Sequence, residues 1–236
     1  MCTVTFVASG QKTIITSNRD EQTSRPSLEP AVYDINGKSL LFPKDPRAGG
    51  TWFACDKNPD VLVLLNGAFE PHEHQPPYRR SRGLIVLDLL SSESAISAWD
   101  AIDLGDVEPF TIVLFESGNL FELRWDGLSK FHKDLNPKQN YIWSSTTLYP
   151  KEIRDRREKW FADFLARNPN PDADDMLDFH RYTHKGDHEN GLVIDRKGIA
   201  LQTLSITQAA IDGNRLDFRH DDLVRDHQSK TSCITV

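Results

Sequence analysis

The sequence has no long apolar run, and this absence argues against a membrane-spanning protein. No stretch of the 236 residues approaches the ~18 to 20 consecutive apolar residues that a helix needs to cross a bilayer. The N-terminus also lacks a basic segment followed by an apolar one, which is the pattern of a secretory signal peptide. We therefore expect a cytoplasmic protein with no integral membrane association.

Cysteine is scarce, and its spacing argues against two kinds of structural site. The chain has three cysteines, Cys2, Cys55 and Cys233, and no CxxC motif. An odd number at such distances favours neither a disulfide framework nor a zinc site. We expect free thiols and no bound metal.

An excess of positive charge is also missing. Lys and Arg total 28 against 35 Asp and Glu, which gives a net charge of -7. This balance argues against nucleic acid as a partner. The P-loop, GxGxxG, HExxH and GxSxG signatures are absent as well. We expect a small-molecule ligand or substrate, and no sequence feature specifies an oligomeric state.

The composition is that of a soluble globular chain. Hydrophobic residues make up 38% and charged residues 27%, and the mean hydropathy is -0.51. Apolar runs recur along the whole sequence, without an internal repeat, a low-complexity segment or a linker that would divide it. We therefore predict a single domain over residues 1–236.

The chain begins with a predicted β-hairpin. Residues Thr3 to Ala8 are rich in β-formers, break at Ser9-Gly10 and resume as a second apolar run from Lys12. The second strand ends in the polar segment Asn18 to Glu21. Hairpin geometry brings this polar segment back towards Cys2.

The remaining pattern alternates predicted strands and helices. Near-continuous Val and Leu from Val61 to Asn66 predict a strand that is covered on both faces. A hairpin is predicted over Phe110 to Trp125, and strand character returns after residue 190. The architecture is therefore α+β with antiparallel sheets. Helices are predicted over Ser81–Leu90, Ser94–Ile102, Lys151–Arg167 and Asp174–Tyr182, and late strands over Gly191–Asp195, Ile199–Thr207, Arg215–Arg219 and Thr231–Val236.

Cys2 has two interpretations. If Met1 is removed, Cys2 carries both a thiol and a free α-amine, and the amine can accept the thiol proton. Arg19 would then raise the thiolate fraction, Asp20 would accept a hydrogen bond from the ammonium, and Asn66 would donate to an oxyanion. If Met1 stays, Cys2 is a small apolar strand residue. Adjacent strand residues point to opposite faces, so Arg19 and Asp20 both reach Cys2 only if the strand ends or bulges there.

Several motifs together resemble the NRDE family, which is the family of the transport and Golgi organisation protein. The resemblance implies an Ntn-hydrolase-like (N-terminal-nucleophile hydrolase) fold, a four-layer αββα sandwich with mostly antiparallel sheets. The opening also resembles choloylglycine hydrolase and penicillin V acylase, and on that resemblance Cys2 matches the nucleophile and Arg19 and Asp20 its charged partners. In those enzymes the Arg and Asp are separated, whereas here they are adjacent. The motifs are MCT at Met1 to Thr3, Asn18 to Glu21, GGTW at Gly49 to Trp52, the strand ending in Asn66, Ser81-Arg82-Gly83, and SSTTLYPK at Ser144 to Lys151.

The resemblance leaves two functions open. The first is a cysteine hydrolase of linear amide or related acyl bonds, with Cys2, Arg19, Asp20 and Asn66 as catalytic residues. The second is a non-catalytic carrier that binds haem or an acyl-CoA, a hydrophobic anion, in the same cleft. The hydrolase needs no cofactor, and haem would be carried cargo. The substrate-binding candidates are Asn18, Arg82, Ser144 and Ser145.

Two further clusters are interpreted as surface features. Three histidines recur at helical spacing: His180, His184 and His188. Gly186 interrupts the run and no Cys or Glu completes a set of metal ligands, so we expect a solvated helix end. Arg79 and Arg80, beside Arg82, are expected to form a surface patch.

Overall fold

Two stacked β-sheets form the centre of the structure. A computed structural model describes residues 2–234, with the backbone alone for Cys2 and Ile234. In chain order the strands are β1 (Cys2–Ser9), β2 (Lys12–Gln22), β3 (Ala31–Ile35), β4 (Lys38–Phe42), β5 (Phe53–Asp56), β6 (Val61–Asn66), β7 (Phe110–Glu116), β8 (Asn119–Trp125), β9 (Lys130–Leu135), β10 (Tyr141–Ser144), β11 (Asp195–Arg196), β12 (Leu201–Asp212), β13 (Arg215–Asp222) and β14 (His227–Ile234).

The strands divide between the sheets by their position along the chain. Sheet A has the order β10-β1-β2-β12-β13-β14, with β11 paired to β12, and sheet B has the order β3-β4-β5-β6-β7-β8-β9. Every pairing between these strands is antiparallel. The chain thus begins and ends in sheet A and builds sheet B between.

Four helices cover the outer faces of the sheets within residues 2–234. Helices α1 (Arg82–Leu90) and α2 (Ala95–Ala101) contact sheet B, and α3 (Lys151–Arg167) and α4 (Ala173–Tyr182) contact sheet A. The four-layer αββα arrangement expected from the resemblance is confirmed. None of the helices in the described part of the chain is long and apolar enough to cross a membrane.

The main core lies between the two sheets. Val4, Phe6 and Ile15 of sheet A are fully buried with residues such as Phe53 and Ile112 of sheet B. A smaller apolar cluster, including Ile14 and Phe179, lies between sheet A and its helices. Burial on both faces explains the near-continuous apolar runs in β6 and β7.

Some strand boundaries differ from those predicted. The sequence analysis did not identify β3 and β9, because most of their residues are exposed and neither strand has a buried face to impose alternation. Both are edge strands of sheet B. The predicted strand Gly191–Asp195 is reduced to Asp195–Arg196, and a 3-10 turn ends at Ala200, which has a left-handed backbone.

Two glycines hold the start of α1 against the chain that precedes β5. The Thr51 amide donates to the Gly83 carbonyl at 3.1 Å. A Cβ added to Gly50 would lie 2.3 Å from the Gly83 carbonyl carbon, which is a steric clash, so the two backbones approach this closely only with glycine at position 50. The Gly50 and Gly83 positions in the two glycine motifs are therefore packing requirements, and they fix Arg82 beside Thr51.

A buried polar layer joins sheet A to helix α4. The Asn18 amide donates to the carbonyls of Leu192 at 2.6 Å and His180 at 3.2 Å. The Asn18 amide oxygen must therefore accept, so the His180 Nδ1–H donates to it and His180 Nε2 accepts from the Thr5 hydroxyl at 2.8 Å. Burial, reinforced by the Arg157 cation, lowers the pKa of His180 to about 3. His180 is thus a neutral, hydrogen-bonded core residue and not part of a solvated helix end.

We predict that His180 makes the folded protein sensitive to acid. The unfolded chain binds a proton at His180 near pH 6.5, whereas the folded protein resists it down to about pH 3. The free energy of unfolding therefore decreases as pH falls through this window. In His180→Gln its slope between about pH 4 and 6 should be shallower by up to about 1.4 kcal/mol per pH unit, measured by urea unfolding.

The control is His188→Gln, which removes an exposed histidine from the turn after α4. It should keep the wild-type slope. An unchanged slope in His180→Gln would contradict the assignment of a neutral, buried His180.

Candidate functional site

The polar segment Asn18 to Glu21 is divided between the two faces of β2. Side chains alternate along a strand, so Asn18 and Asp20 face the helices while Arg19 and Glu21 face the space between the sheets. The strand continues to Gln22, and the bulge near this point lies on the neighbouring strand, where Leu204 is the extra residue. The condition for Arg19 and Asp20 to point to the same face of β2 is therefore not met.

Strand pairing places the backbone of Cys2 beside the candidate residues. Cys2 pairs with Arg19 across β1 and β2. On the other side of β1, Thr3 pairs with Ser144 of β10. Met1 and the Cys2 side chain lie outside the described part of the structure, so the catalytic role of Cys2 stays a prediction.

Arg19 is held by contacts from three directions. Its guanidinium lies 4.3 Å from the centroid of the Trp52 ring and donates to the Arg25 carbonyl at 2.9 Å. Asp45 lies 3.9 Å from the same guanidinium. The Arg19 side chain is only 4% exposed, so its charge acts in a poorly solvated environment where electrostatic effects are strong.

Two small cavities meet at Asn66, the last residue of β6. The inner cavity, about 70 Å³, is lined by Arg19, Glu21, Trp52, Asn66, Arg82 and neighbouring residues. The serine cavity, of similar volume, is lined by Asn66, Ser144, Ser145, Thr146, Arg124, Arg154 and others.

Asn66 is fixed through its backbone. The Ser145 hydroxyl donates to the Asn66 carbonyl at 2.9 Å, which ties the end of β6 to the end of β10. Gly67 follows with a left-handed backbone, and a Cβ there would collide with Thr146. Within residues 2–234 the Asn66 side-chain amide has no hydrogen-bonding partner, so its N–H groups are available to a ligand.

Asp20 is enclosed on the helix side of sheet A. Its carboxylate accepts hydrogen bonds at 2.7 Å from the hydroxyls of Tyr149 and Thr203. Burial raises the pKa of Asp20, against the opposing effects of the Arg157 cation and these hydrogen bonds. The Arg157 guanidinium stacks 3.6 Å from the centroid of the Tyr149 ring and donates to the Thr3 hydroxyl.

The structure thus separates the predicted site residues into a group that lines the two cavities and a group on the helix side of sheet A. Arg19, Asn66 and Arg82 line the inner cavity, and Ser144 and Ser145 line the serine cavity that Asn66 shares. The side chains of Asn18 and Asp20 lie in the polar layer on the opposite side of sheet A, where they bind His180 and Tyr149.

Three members of this polar layer were not among the predicted site residues: Tyr149, Arg157 and Thr203. One signal was present for Arg157, because helical spacing puts it on one face of α3 with Ile153 and Phe161, and this face is buried. A charged residue at such a position requires hydrogen-bonding partners in the sheet it covers. In the described part of the chain, no group of three or more His, Cys, Asp and Glu side chains is arranged for a metal ion.

The fold is similar to that of known Ntn-hydrolases. The N-acylethanolamine-hydrolyzing acid amidase ortholog of Caenorhabditis elegans has a TM-score of 0.58 at 13% identity, over 88% of this chain and 92% of that chain. An arginine-to-leucine variant of the conjugated bile acid hydrolase from Clostridium perfringens has a TM-score of 0.60 at 8% identity, over 98% of this chain and 92% of that chain. A cysteine-to-alanine variant of the same hydrolase gives 0.52 at 8% identity, with the same coverage. At these identities the similarity shows the fold alone.

The sequence itself identifies the family. No match was found among curated proteins. The family described as Transport and Golgi organisation 2 matches residues 1–207, which is most of the chain. This match confirms the resemblance of the motifs from Met1 to Lys151, and the chain belongs to the Transport and Golgi organisation 2 family.

Proposed function

We propose that this protein is a cysteine N-terminal-nucleophile hydrolase of linear amide or related acyl bonds, with its reaction centre at the inner cavity. The observation that carries the proposal is the pairing of Cys2 with Arg19, whose side chain lines the same cavity as Asn66. The fold shared with an acid amidase and with a conjugated bile acid hydrolase supports it.

The proposed reaction uses Cys2 as both nucleophile and proton carrier. After removal of Met1, the α-amine accepts the thiol proton and the sulfur attacks the substrate carbonyl. Collapse of the tetrahedral intermediate breaks the C–N bond, and the ammonium returns the proton to the leaving amine. Water then attacks the thioester, which releases the acid and regenerates the thiol.

Arg19 and Asn66 have separate roles in this scheme. The Arg19 cation, held by Trp52 and Asp45, favours the thiolate form of a cysteine that pairs with it. The Asn66 amide donates a hydrogen bond to the oxyanion of the intermediate.

The contacts of Asp20 support a role in positioning β2, and Asp20 takes part in no step of the proposed reaction. Both of its carboxylate oxygens are hydrogen-bonded on the helix side of sheet A. Asn18 is likewise held by His180 and Leu192. We infer that both residues hold β2 so that Arg19 faces the cavity.

The first test combines intact mass with turnover. The purified protein should lack the mass of Met1, and it should hydrolyse at least one member of a panel of fluorogenic acyl amides. Cys2→Ala should lose this turnover, because no other residue of the scheme supplies the nucleophile. Cys233→Ala, at a half-buried free thiol in β14, is the matched control and should stay active.

Full retention of Met1 would contradict the assignment of Cys2 as an N-terminal nucleophile. Turnover that survives Cys2→Ala would contradict it as well. Saturable binding of haem or acyl-CoA by a protein that retains Met1 would instead support the carrier function.

The second test concerns the oxyanion. Asn66→Ala should lower kcat by about 10²- to 10³-fold with little change in KM, because the lost hydrogen bond forms in the transition state. Steady-state kinetics on the best amide of the panel measure this effect. The control Asn119→Ala replaces an exposed asparagine at the start of β8 and should leave kcat unchanged. A rise in KM alone in Asn66→Ala would assign Asn66 to ground-state binding and refute its oxyanion role.

A further inference from the structure

A wider cavity opens from the inner cavity. This outer cavity, about 560 Å³, is lined by Arg25, Arg47, Ala48, Tyr78, Arg80, Ser81, Arg82 and Glu108. It shares Arg25, Ala48, Ser81 and Arg82 with the inner cavity. A substrate whose reacting carbonyl occupies the inner cavity would therefore extend one end into the outer cavity.

The lining of the outer cavity is strongly basic. Four guanidinium groups line it, against the single carboxylate of Glu108, in a chain with a net charge of -7. Arginine offers a planar fork of donors that matches carboxylate and phosphate oxygens. Three of these guanidinium groups are ion-paired, Arg25 with both Glu21 and Asp45, so the local excess of positive charge comes from Arg47. This excess favours an anion over a cationic group.

The ion pairs of these arginines leave donors unused. Arg25 binds Asp45 at 2.6 Å, Arg80 binds Asp88 at 2.6 Å, and Arg82 binds Glu108 at 2.9 Å. Even so, among the described residues no hydrogen-bonding partner reaches the buried Nε atoms of Arg25 and Arg80. A buried unpaired donor is costly, so an acceptor that reached these atoms would be stabilised.

Helix α1 adds a partial positive charge to the same place. It begins at Arg82, its N-cap Ser81 makes no side-chain capping hydrogen bond, and its first turn contains no acidic residue. The N-terminus of a helix attracts anions through its unpaired amides and its dipole. Ser81 and Arg82 line the outer cavity, so this charge and the arginines act on one ligand.

We infer that the outer cavity binds an oxyanion group of the substrate, a carboxylate or a phosphate, on the amine side of the scissile bond. That the bound anion belongs to a substrate rests on the hydrolase function proposed above, whereas the anion site itself rests on the cavity and its arginines. Arg47 is an exposed lining residue and is the specificity residue most open to substitution.

Arg79 provides the matched control. It neighbours Arg80 in the sequence, but its guanidinium donates to the carbonyls of Gly105 and Asp103 at 2.9 and 2.8 Å and pairs with the Asp103 carboxylate. It does not line the outer cavity. Arg79→Gln therefore removes the same charge from the same region without changing the proposed site.

The experiment uses amides that differ in a single charged group. N-decanoylglycine is compared with N-decanoylglycinamide, and N-decanoyl phosphoethanolamine with N-decanoylethanolamine, so that the two arms separate a carboxylate from a phosphate. The wild type should prefer the charged member of at least one pair by about 10-fold or more in kcat/KM. Arg47→Gln and Arg80→Gln should each lower that preference at least several-fold, through KM, and keep turnover of the neutral amide. Arg79→Gln should keep the full preference.

A binding measurement separates failure of the anion site from failure of the proposed function. Calorimetric titration of the same four amides into Cys2→Ala requires no chemistry. Selective binding of a charged amide that an added Arg47→Gln abolishes would support the anion site, and the same result beside a wild type that hydrolyses none of the four amides would remove the hydrolase. Equal affinity for charged and neutral amides, or a preference that Arg47→Gln and Arg80→Gln leave intact, would overturn the anion site whether or not the amides are hydrolysed.

Discussion

The alternation of side chains along β2 is the constraint on which the site depends. β2 is paired on both sides, with β1 and with β12, so its register is fixed over almost its whole length. A slip of one residue would exchange the faces of Asn18, Arg19, Asp20 and Glu21. Because the register holds, a contiguous polar motif serves two layers: Arg19 and Glu21 line a cavity between the sheets, while Asn18 and Asp20 fasten sheet A to its helices.

The helix-side layer explains why so many polar groups are tolerated in the interior. Asn18, His180, Asp20, Tyr149 and Arg157 are all buried, and each has hydrogen-bonding or stacking partners within the layer. Buried polar groups are costly unless they are satisfied, and a satisfied network specifies one arrangement. The layer thus holds β1 and β2 at a defined position relative to α3 and α4. The backbone of Cys2 lies at the end of that arrangement, opposite Arg19.

The sequence was informative where burial imposes a pattern and where short-range geometry decides contacts. The β1–β2 hairpin follows from local residues. The near-continuous Val and Leu of β6 correctly predicted a strand that ends at Asn66. β3 and β9 could not be predicted, because edge strands with exposed residues carry no apolar period. The partners of Asp20 and His180 come from residues more than 120 positions away, so no local pattern identifies them. Arg82 reaches the inner cavity through the contact of Gly50 with Gly83, which also depends on the tertiary fold.

In the proposed function, the end of β1 is a reaction centre in which residue 2 is acylated. Trapping the acyl-enzyme tests it most directly: the protein is incubated with an activated decanoyl ester, quenched in acid and mapped by peptide mass spectrometry. We expect one decanoyl group per chain, carried as a thioester on Cys2 in an N-terminal peptide without Met1, and formed more slowly in Arg19→Gln. An adduct on Cys55 or Cys233 with Cys2 unmodified, or an acylated peptide that retains Met1, would contradict it.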